Sequence, residues 1–273
     1  MKNVLITGGS RGIGKACVYE FSNNGYRVFL NYNKSSDEAE KIKNETGAVT
    51  LKADVSDSKQ VNDMAEFIHT NYGKIDVIVN NAGISQQKLF TDITENDWDR
   101  MFDVNMKSMY LVTKAFVDDM IYKHSGKIIN ISSMWGVTGG SCEVHYSAAK
   151  AAVIGFTKAL AKELGPSGIC VNCVAPGVIE TEMNSHLTKE DFEDNNRSLN
   201  IRNTLFTLAD EGVVPIINEN DSVSTLEFSI GDNDNLAALT SILWSADLLI
   251  LFSDIDGIFT DNPKVNKNAK LVE

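Results

Sequence analysis

Short apolar runs alternate with longer amphipathic stretches along the first two thirds of the chain. The apolar runs are Val4–Thr7, Arg27–Asn31, Val49–Ala53, Val77–Asn80, Lys127–Ser132 and Cys170–Ala175. The longer stretches are Lys15–Asn24, Ser36–Glu45, Lys59–Tyr72, Asp97–Tyr122 and Ser147–Leu164. Strands and helices in such alternation form βαβ units. The sequence therefore predicts a doubly wound α/β fold of the Rossmann type, whose parallel sheet binds ligands beyond the carboxyl ends of its strands.

Composition and charge argue against a membrane protein, a secreted protein and a nucleic-acid-binding protein. No apolar run approaches the roughly 20 residues that span a bilayer. Met1-Lys2-Asn3 leads directly into a strand-like run without a small-residue cleavage site, so we expect no secretory leader. The net charge of −12 disfavours a nucleic-acid surface. We expect a cytoplasmic protein with free thiols that binds neither nucleic acid nor membrane. Cys170 and Cys173 have the spacing of half a metal knuckle, but no second pair completes four ligands, so we expect no metal.

The charge balance changes near residue 190. Residues 191–273 hold 15 acidic and 5 basic residues, a balance of −10, whereas residues 1–190 hold the remaining 22 and 20, a balance of −2. We therefore predict a first domain over 1–190 and a different segment over 191–273.

A glycine-rich segment, Thr7-Gly8-Gly9-Ser10-Arg11-Gly12-Ile13-Gly14, follows the first predicted strand and opens a helix that begins near Lys15. Glycines at 8, 12 and 14 let the backbone turn tightly and approach a pyrophosphate, which the helix N-terminus then stabilises. The spacing departs from the G-x-G-x-x-G fingerprint, so a plain glycine turn is the alternative.

The end of the second strand indicates which dinucleotide binds. A site specific for NAD places a carboxylate there, and Asn31-Tyr32-Asn33-Lys34-Ser35 contains none. Arg11 and Lys34 instead offer positive charge for a 2′-phosphate, which favours NADPH over NADH. The alternative is that both are solvated surface charges.

Candidate catalytic residues are Asn105, Ser133, Tyr146 and Lys150. Tyr146 and Lys150 are spaced to share one helix face, where the ammonium would lower the pKa of the phenol for proton transfer. Ser133 follows a strand and would hydrogen-bond a substrate carbonyl. When Tyr146 and Lys150 are considered alone, the alternative is an ordinary pair of solvent-exposed side chains on a helix surface.

These segments together resemble the short-chain dehydrogenases/reductases. The resemblance implies that Tyr146 is the general acid, that Ser133 polarises the carbonyl, that Lys150 also holds the nicotinamide ribose, and that Asn105 supports a water-linked proton relay. The cofactor residues it implies, together with those argued above, are Gly8, Ser10, Arg11, Gly12, Ile13, Gly14, Asn33, Lys34, Asp54, Val55, Asn81, Ala82, Gly83, Tyr146, Lys150, Pro176, Gly177 and Ile179.

Two substrate classes stay open within this family. Ile131–Ser133, Tyr146–Lys150 and Ile154–Lys162 are similar to the 3-oxoacyl-[acyl-carrier-protein] reductases. The stretch from 135 to 145 is similar to reductases of 5-aminopentanone-modified elongation factor P. We expect a small or carrier-linked ketone as substrate, with acyl-carrier protein or elongation factor P as partner. We interpret Cys142 and His145, which flank the site in sequence, as residues that shape it rather than as catalytic residues.

The segment after about residue 190 resembles glutamate 5-kinase. The resemblance rests on 200–204, 214–221, 231–234 and 253–257, and it implies glutamate contacts at Asp221 and Asn233 and nucleotide contacts at Ser253 and Asp254. The lysine and phosphate loop of that family have no counterpart here, which argues against kinase activity. Residues 187–192 fit either parent and form the predicted junction.

Three alternatives follow from the joined segments: an active reductase, a glutamate 5-kinase fragment, and an inactive fusion. The reductase pattern loses its substrate-covering helix and last strand, and relatives use those elements for assembly, so a homo-oligomer is left open. A helix over Leu236–Ala246 and a strand over Leu248–Phe252 are predicted to take their place.

Overall fold

The computed structural model describes residues 1–177, together with residues 179, 206, 237–238, 240–242, 246 and 270. The chain forms two compact units, Met1–Asn195 and Asn196–Glu273. In the second unit, the described residues Ala237, Ala238 and 240–242 are helical, within the run that the sequence predicts as a helix. The predicted junction at 187–192, the substitute strand and the kinase-like positions lie outside the described residues.

In the described part of the chain, six strands form one parallel sheet in the order β3-β2-β1-β4-β5-β6. The strands are β1 (Asn3–Ile6), β2 (Arg27–Tyr32), β3 (Val49–Lys52), β4 (Val77–Asn80), β5 (Gly126–Ile131) and β6 (Ile169–Val174). The helices are α1 (Gly12–Asn23), α2 (Ser36–Thr46), α3 (Ser58–Tyr72), α4 (Glu95–Phe102), α5 (Ser108–Lys123), α6 (Trp135–Thr138) and α7 (Val144–Leu164). The predicted doubly wound parallel sheet is confirmed.

Two apolar cores cover the two faces of the sheet. Successive residues of a strand point to opposite faces, so Leu5 joins a core with Ile68 of α3 and Phe116 of α5, whereas Val4 joins a core with Ile42 of α2. β1 is buried along its whole length, as an apolar strand covered on both faces must be. Within the described residues, no helix has the length and apolarity that a membrane span requires.

Helix ends follow local signals. Asp57 caps α3 by accepting hydrogen bonds from the backbone N–H groups of Lys59 and Gln60, and Thr94 with Asp97 forms a capping box at α4. The helix predicted from near Lys15 begins earlier, at Gly12, so the glycine segment supplies its first turn.

The predicted amphipathic stretch Asp97–Tyr122 is interrupted. α4 and α5 are joined by a π-helical turn over Asp103–Lys107. Asn105 lies in this turn, where its side chain donates to the carbonyl of Met101 at 3.0 Å and to that of Ile84 at 3.0 Å. Such turns often mark functional sites, and this one contacts a distant loop through the side chain of Asn105.

Candidate active site

A cleft of about 750 Å³ opens at the carboxyl ends of the strands. It lies where the strand order reverses between β1 and β4, the position at which ligands enter doubly wound sheets. Most of the predicted site residues line it: Gly8, Ser10, Arg11, Gly12, Ile13, Asn33, Lys34, Asp54, Val55, Asn81, Ala82, Gly83, Ser133, Tyr146, Pro176, Gly177 and Ile179. The predicted Gly14, Asn105 and Lys150 lie behind this lining.

The glycine segment packs too closely for side chains. Gly8 has φ of 63° and Gly12 has φ of 51°, both in the left-handed region that favours glycine. A Cβ on Gly14 would lie 2.3 Å from the carbonyl oxygen of Gly8 and 2.5 Å from Nδ2 of Asn81. Arg11 at the N-cap of α1 makes no side-chain capping hydrogen bond, so the first amides of α1 are open to an anion.

The segment after β4 is bonded to the end of β1. Nδ2 of Asn81 donates to the carbonyls of Thr7 and Gly8 at 3.0 and 3.1 Å. In return, the Thr7 hydroxyl accepts hydrogen bonds from the backbone N–H groups of Asn81 and Ala82 at 2.9 and 3.0 Å. The two loops at the switch point therefore form one rigid wall of the cleft.

Asn31 is a site residue that sequence analysis missed. Its Nδ2 donates to the carbonyls of Leu51 and Ala53 at 3.3 and 3.0 Å, and its Oδ1 accepts from the N–H of Gly8 at 3.4 Å. It links β3 to the glycine segment. The available signal was a polar residue inside an apolar strand, where burial requires hydrogen-bond partners.

Asp54 lines the cleft within reach of the charge of Arg100. It accepts hydrogen bonds from Nδ2 of Asn33 at 3.0 Å and from the Ser56 hydroxyl at 2.6 Å. Burial alone would raise the pKa of Asp54, but the Ser56 hydrogen bonds and the charge of Arg100 outweigh it and lower that pKa. Asp54 is therefore an ionised acceptor at neutral pH.

Tyr146, Ser133 and Lys150 converge beyond the end of β5. Tyr146 and Ser133 are each 9% exposed and Lys150 is 4% exposed. Nζ of Lys150 lies 5.7 Å from the centroid of the Tyr146 ring and donates to the carbonyl of Ile131 at 2.9 Å. Because α7 begins at Val144, both side chains lie in its first turns, as the four-residue spacing predicts.

The expected lowering of the Tyr146 pKa by Lys150 is wrong for this structure. Burial raises the pKa of Tyr146, the hydrogen bond with Ser133 lowers it, and the charge of Glu143 raises it. Burial also lowers the pKa of Lys150 to about 8. The Lys150 ammonium donates to the Ile131 carbonyl. Because the pKa of Tyr146 is raised, the phenol is protonated at neutral pH and is suited to donate a proton.

Asn105 positions backbone rather than lining the cleft. It is fully buried, and its Oδ1 accepts from the N–H of Ile84 at 3.2 Å while its Nδ2 donates to the carbonyl of the same residue. The described contacts thus hold the loop after β4 in place. The water-linked relay that the resemblance implies for Asn105 stays a prediction.

The buried lysine predicts a stability profile. The folded-state pKa of Lys150 is about 8, below its ordinary value of 10.5, so the unfolded chain binds more protons between these values and stability rises with pH there. From about pH 8 to about pH 10, wild type should gain about 2 kcal/mol in unfolding free energy relative to Lys150→Met. Urea unfolding of both proteins measures this difference.

The control is Lys158→Met, an exposed lysine on the same helix, which should keep the rise. A constant difference between wild type and Lys150→Met across this pH interval would contradict the pKa assignment.

Known proteins share this architecture. The family model for short chain dehydrogenases matches residues 2–191. A 3-oxoacyl-[acyl-carrier-protein] reductase from Synechocystis sp. is 42% identical over 191 residues, which are 68% of this chain and 77% of that protein. The kinase-like segment lies beyond the matched residues and gains no support from these matches.

Two solved structures are also similar. A short-chain dehydrogenase from Streptomyces avermitilis is 30% identical, with a TM-score of 0.64 over 67% of this chain and 68% of that one. A ribose-5-phosphate isomerase from Brucella melitensis is 33% identical, with a TM-score of 0.65 over 68% of this chain and 72% of that one. Because their names denote different reactions, the reaction must be argued from the site.

Proposed function

Since this chain belongs to the short-chain dehydrogenase family, we propose that it reduces a ketone to a secondary alcohol with NADPH, and that the ketone is a 3-oxoacyl thioester carried by acyl-carrier protein. The chain is an oxidoreductase. The observation that carries the proposal is the convergence of Tyr146, Ser133 and Lys150 beside a cleft with an open helix N-terminus.

The residues present fit a dinucleotide. The glycine segment is a cradle that a Cβ at Gly14 would fill, and the open amides of α1 suit a pyrophosphate. Arg11, before α1, and Lys34, after β2, both line the cleft and suit a 2′-phosphate. Asp54 and Val55 would bind the adenine side, and Asn81–Gly83, Pro176, Gly177 and Ile179 the rest of the dinucleotide. When bound, NADPH supplies the hydride that reduces the carbonyl carbon.

The protein supplies the proton and the orientation. Tyr146 donates its phenolic proton to the carbonyl oxygen as negative charge develops there, and the Ser133 hydroxyl hydrogen-bonds the same oxygen. Lys150, whose own orientation is set by the Ile131 carbonyl, supports the cofactor ribose. Burial of Tyr146 excludes water from this proton transfer and strengthens both hydrogen bonds.

The choice of substrate rests on the relative. The Synechocystis protein is named for 3-oxoacyl-[acyl-carrier-protein] reduction, and we carry that activity over because its identity covers the whole catalytic segment. The alternative ketone is 5-aminopentanone-modified elongation factor P, which the 135–145 stretch favours. Parallel assays of the two substrates decide between them.

Binding of NADPH, NADH and ATP to the full chain tests the cofactor assignment. Arg11→Ala should weaken NADPH binding by about 10-fold or more, because a charged partner of the 2′-phosphate is lost, and should leave NADH binding nearly unchanged. Titrations followed by cofactor fluorescence measure both constants, and Lys59→Ala, an exposed lysine paired with Asp63 on α3, is the control.

Equal weakening of NADPH and NADH by Arg11→Ala would contradict the 2′-phosphate role. Saturable ATP binding without NADPH binding would support the glutamate 5-kinase fragment. Soluble protein that binds neither nucleotide would support the inactive fusion.

A further inference from the structure

A chain of hydrogen bonds joins α7 to α4 through the loop after β4. Nε2 of His145 lies 2.9 Å from Oε1 of Gln86, and Nε2 of Gln86 donates to Oδ1 of Asp97 at 3.2 Å. Oδ2 of Asp97 accepts from Lys88 at 2.7 Å and from the backbone N–H of Thr94 at 3.0 Å. His145 directly precedes Tyr146, so this chain ends beside the proton donor.

The chemistry of the partners fixes every donor and acceptor. Hydrogen bonds from Lys88 and Thr94 hold the pKa of Asp97 well below its usual range, so this carboxylate only accepts. Gln86 must therefore present Nε2 to Asp97 and Oε1 to His145, which makes Nε2 of His145 the protonated nitrogen. Burial lowers the pKa of His145, and its buried Nδ1 has no partner among the described residues, so the ring stays neutral.

The Gln86 amide consequently has one orientation. Its Oε1 is occupied by His145, and one of its two N–H bonds is occupied by Asp97. The other N–H has no partner among the residues that the structure describes, and Gln86 lines the same cleft as Tyr146. The loop itself is held as well, because the N–H of Lys88 donates to the carbonyl of Cys142 at 2.7 Å.

We propose that Gln86 is a specificity-determining residue that donates this remaining N–H to a second acceptor next to the reacting ketone, with His145 and Asp97 as its positioning residues. The proposal rests on the proposed reductase function and gives the physical reason for which that site prefers ketones with a neighbouring carbonyl, as in 3-oxoacyl thioesters. A donor fixed before binding favours such a substrate over a plain ketone, which would leave the N–H unpaired.

Selectivity is measured as the ratio of kcat/KM for acetoacetyl thioester to kcat/KM for a plain methyl ketone of similar length. Gln86→Leu should lower this ratio by about tenfold, because one oriented hydrogen bond is lost. Gln87→Leu is the matched control, since Gln87 also lines the cleft but is exposed, and it should keep the ratio. Asp97→Asn, which can still cap α4 through its amide oxygen, should lower the ratio by disturbing the Gln86 orientation.

An unchanged ratio in Gln86→Leu would overturn the inference alone, whether both kcat/KM values stay at the wild-type level or fall by the same factor. An equal fall would show that Gln86 only shapes the wall of the cleft. Wild type that binds NADPH but reduces neither ketone would instead overturn the proposed function and this inference with it.

Discussion

Tyr146→Phe is expected to lower kcat for ketone reduction by about 100-fold to 10,000-fold, the range that a positioned general acid contributes. The substitution removes only the phenolic oxygen, so the ring still fills its site against Met101 and Ala149. NADPH affinity should therefore stay close to that of wild type. Steady-state rates from NADPH absorbance, together with fluorescence titration, separate the two quantities.

The control for this variant is Tyr110→Phe. Tyr110 lies on α5 with 47% of its surface exposed, so the loss of its hydroxyl should leave kcat unchanged. A Tyr146→Phe enzyme that retains more than about a tenth of wild-type kcat would show that another group donates the proton.

Gly14→Ala is expected to weaken NADPH binding by about 100-fold or more, because the added methyl group must displace backbone rather than a flexible side chain. The new Cβ would meet the Gly8 carbonyl oxygen at 2.3 Å and Nδ2 of Asn81 at 2.5 Å. Both contacts belong to the wall that carries the proposed phosphate cradle. Titration with NADPH measures the affinity, and thermal unfolding shows whether the rest of the fold survives.

Gly155→Ala is the matched control, because its Cβ would meet nothing within 4 Å on helix α7. Alanine in a helix interior should raise the unfolding free energy by about 0.5–1 kcal/mol and leave NADPH binding unchanged. Wild-type affinity in Gly14→Ala would contradict the cradle.

The sequence predicted those features of the fold and site that only one residue type, or one spacing of residues, can form. Gly8 and Gly14 are needed by backbone geometry, and Tyr146 with Lys150 is placed on one face by helix spacing. The strict alternation of apolar and amphipathic runs specifies the βαβ units and therefore the edge of the sheet where the cleft opens.

The features that sequence missed depend on contacts between distant segments. The π-helical turn contains Asn105, whose side chain bonds to Ile84, 21 residues away. Gln86 belongs to no motif, and its fixed orientation comes from His145, 59 residues later. The direction of the Tyr146 pKa shift depends on burial, which spacing alone does not report.

The resemblance of 191–273 to glutamate 5-kinase stays a prediction. The family match ends at residue 191, and the positions that carry the kinase resemblance lie outside the described residues. The reductase assignment depends on residues 1–177 and 179, which hold the proposed catalytic residues and the described lining of the cleft.

Isotope transfer by the full-length chain tests the proposed ketone reduction. NADPH with deuterium at both C4 positions of the nicotinamide is incubated with acetoacetyl thioester, and the product is analysed by mass spectrometry. We expect a 3-hydroxy product with one deuterium on the carbinol carbon, and a loss of that product in Tyr146→Phe. Saturable NADPH binding without deuterium transfer to any ketone would show that the chain is not a ketone reductase.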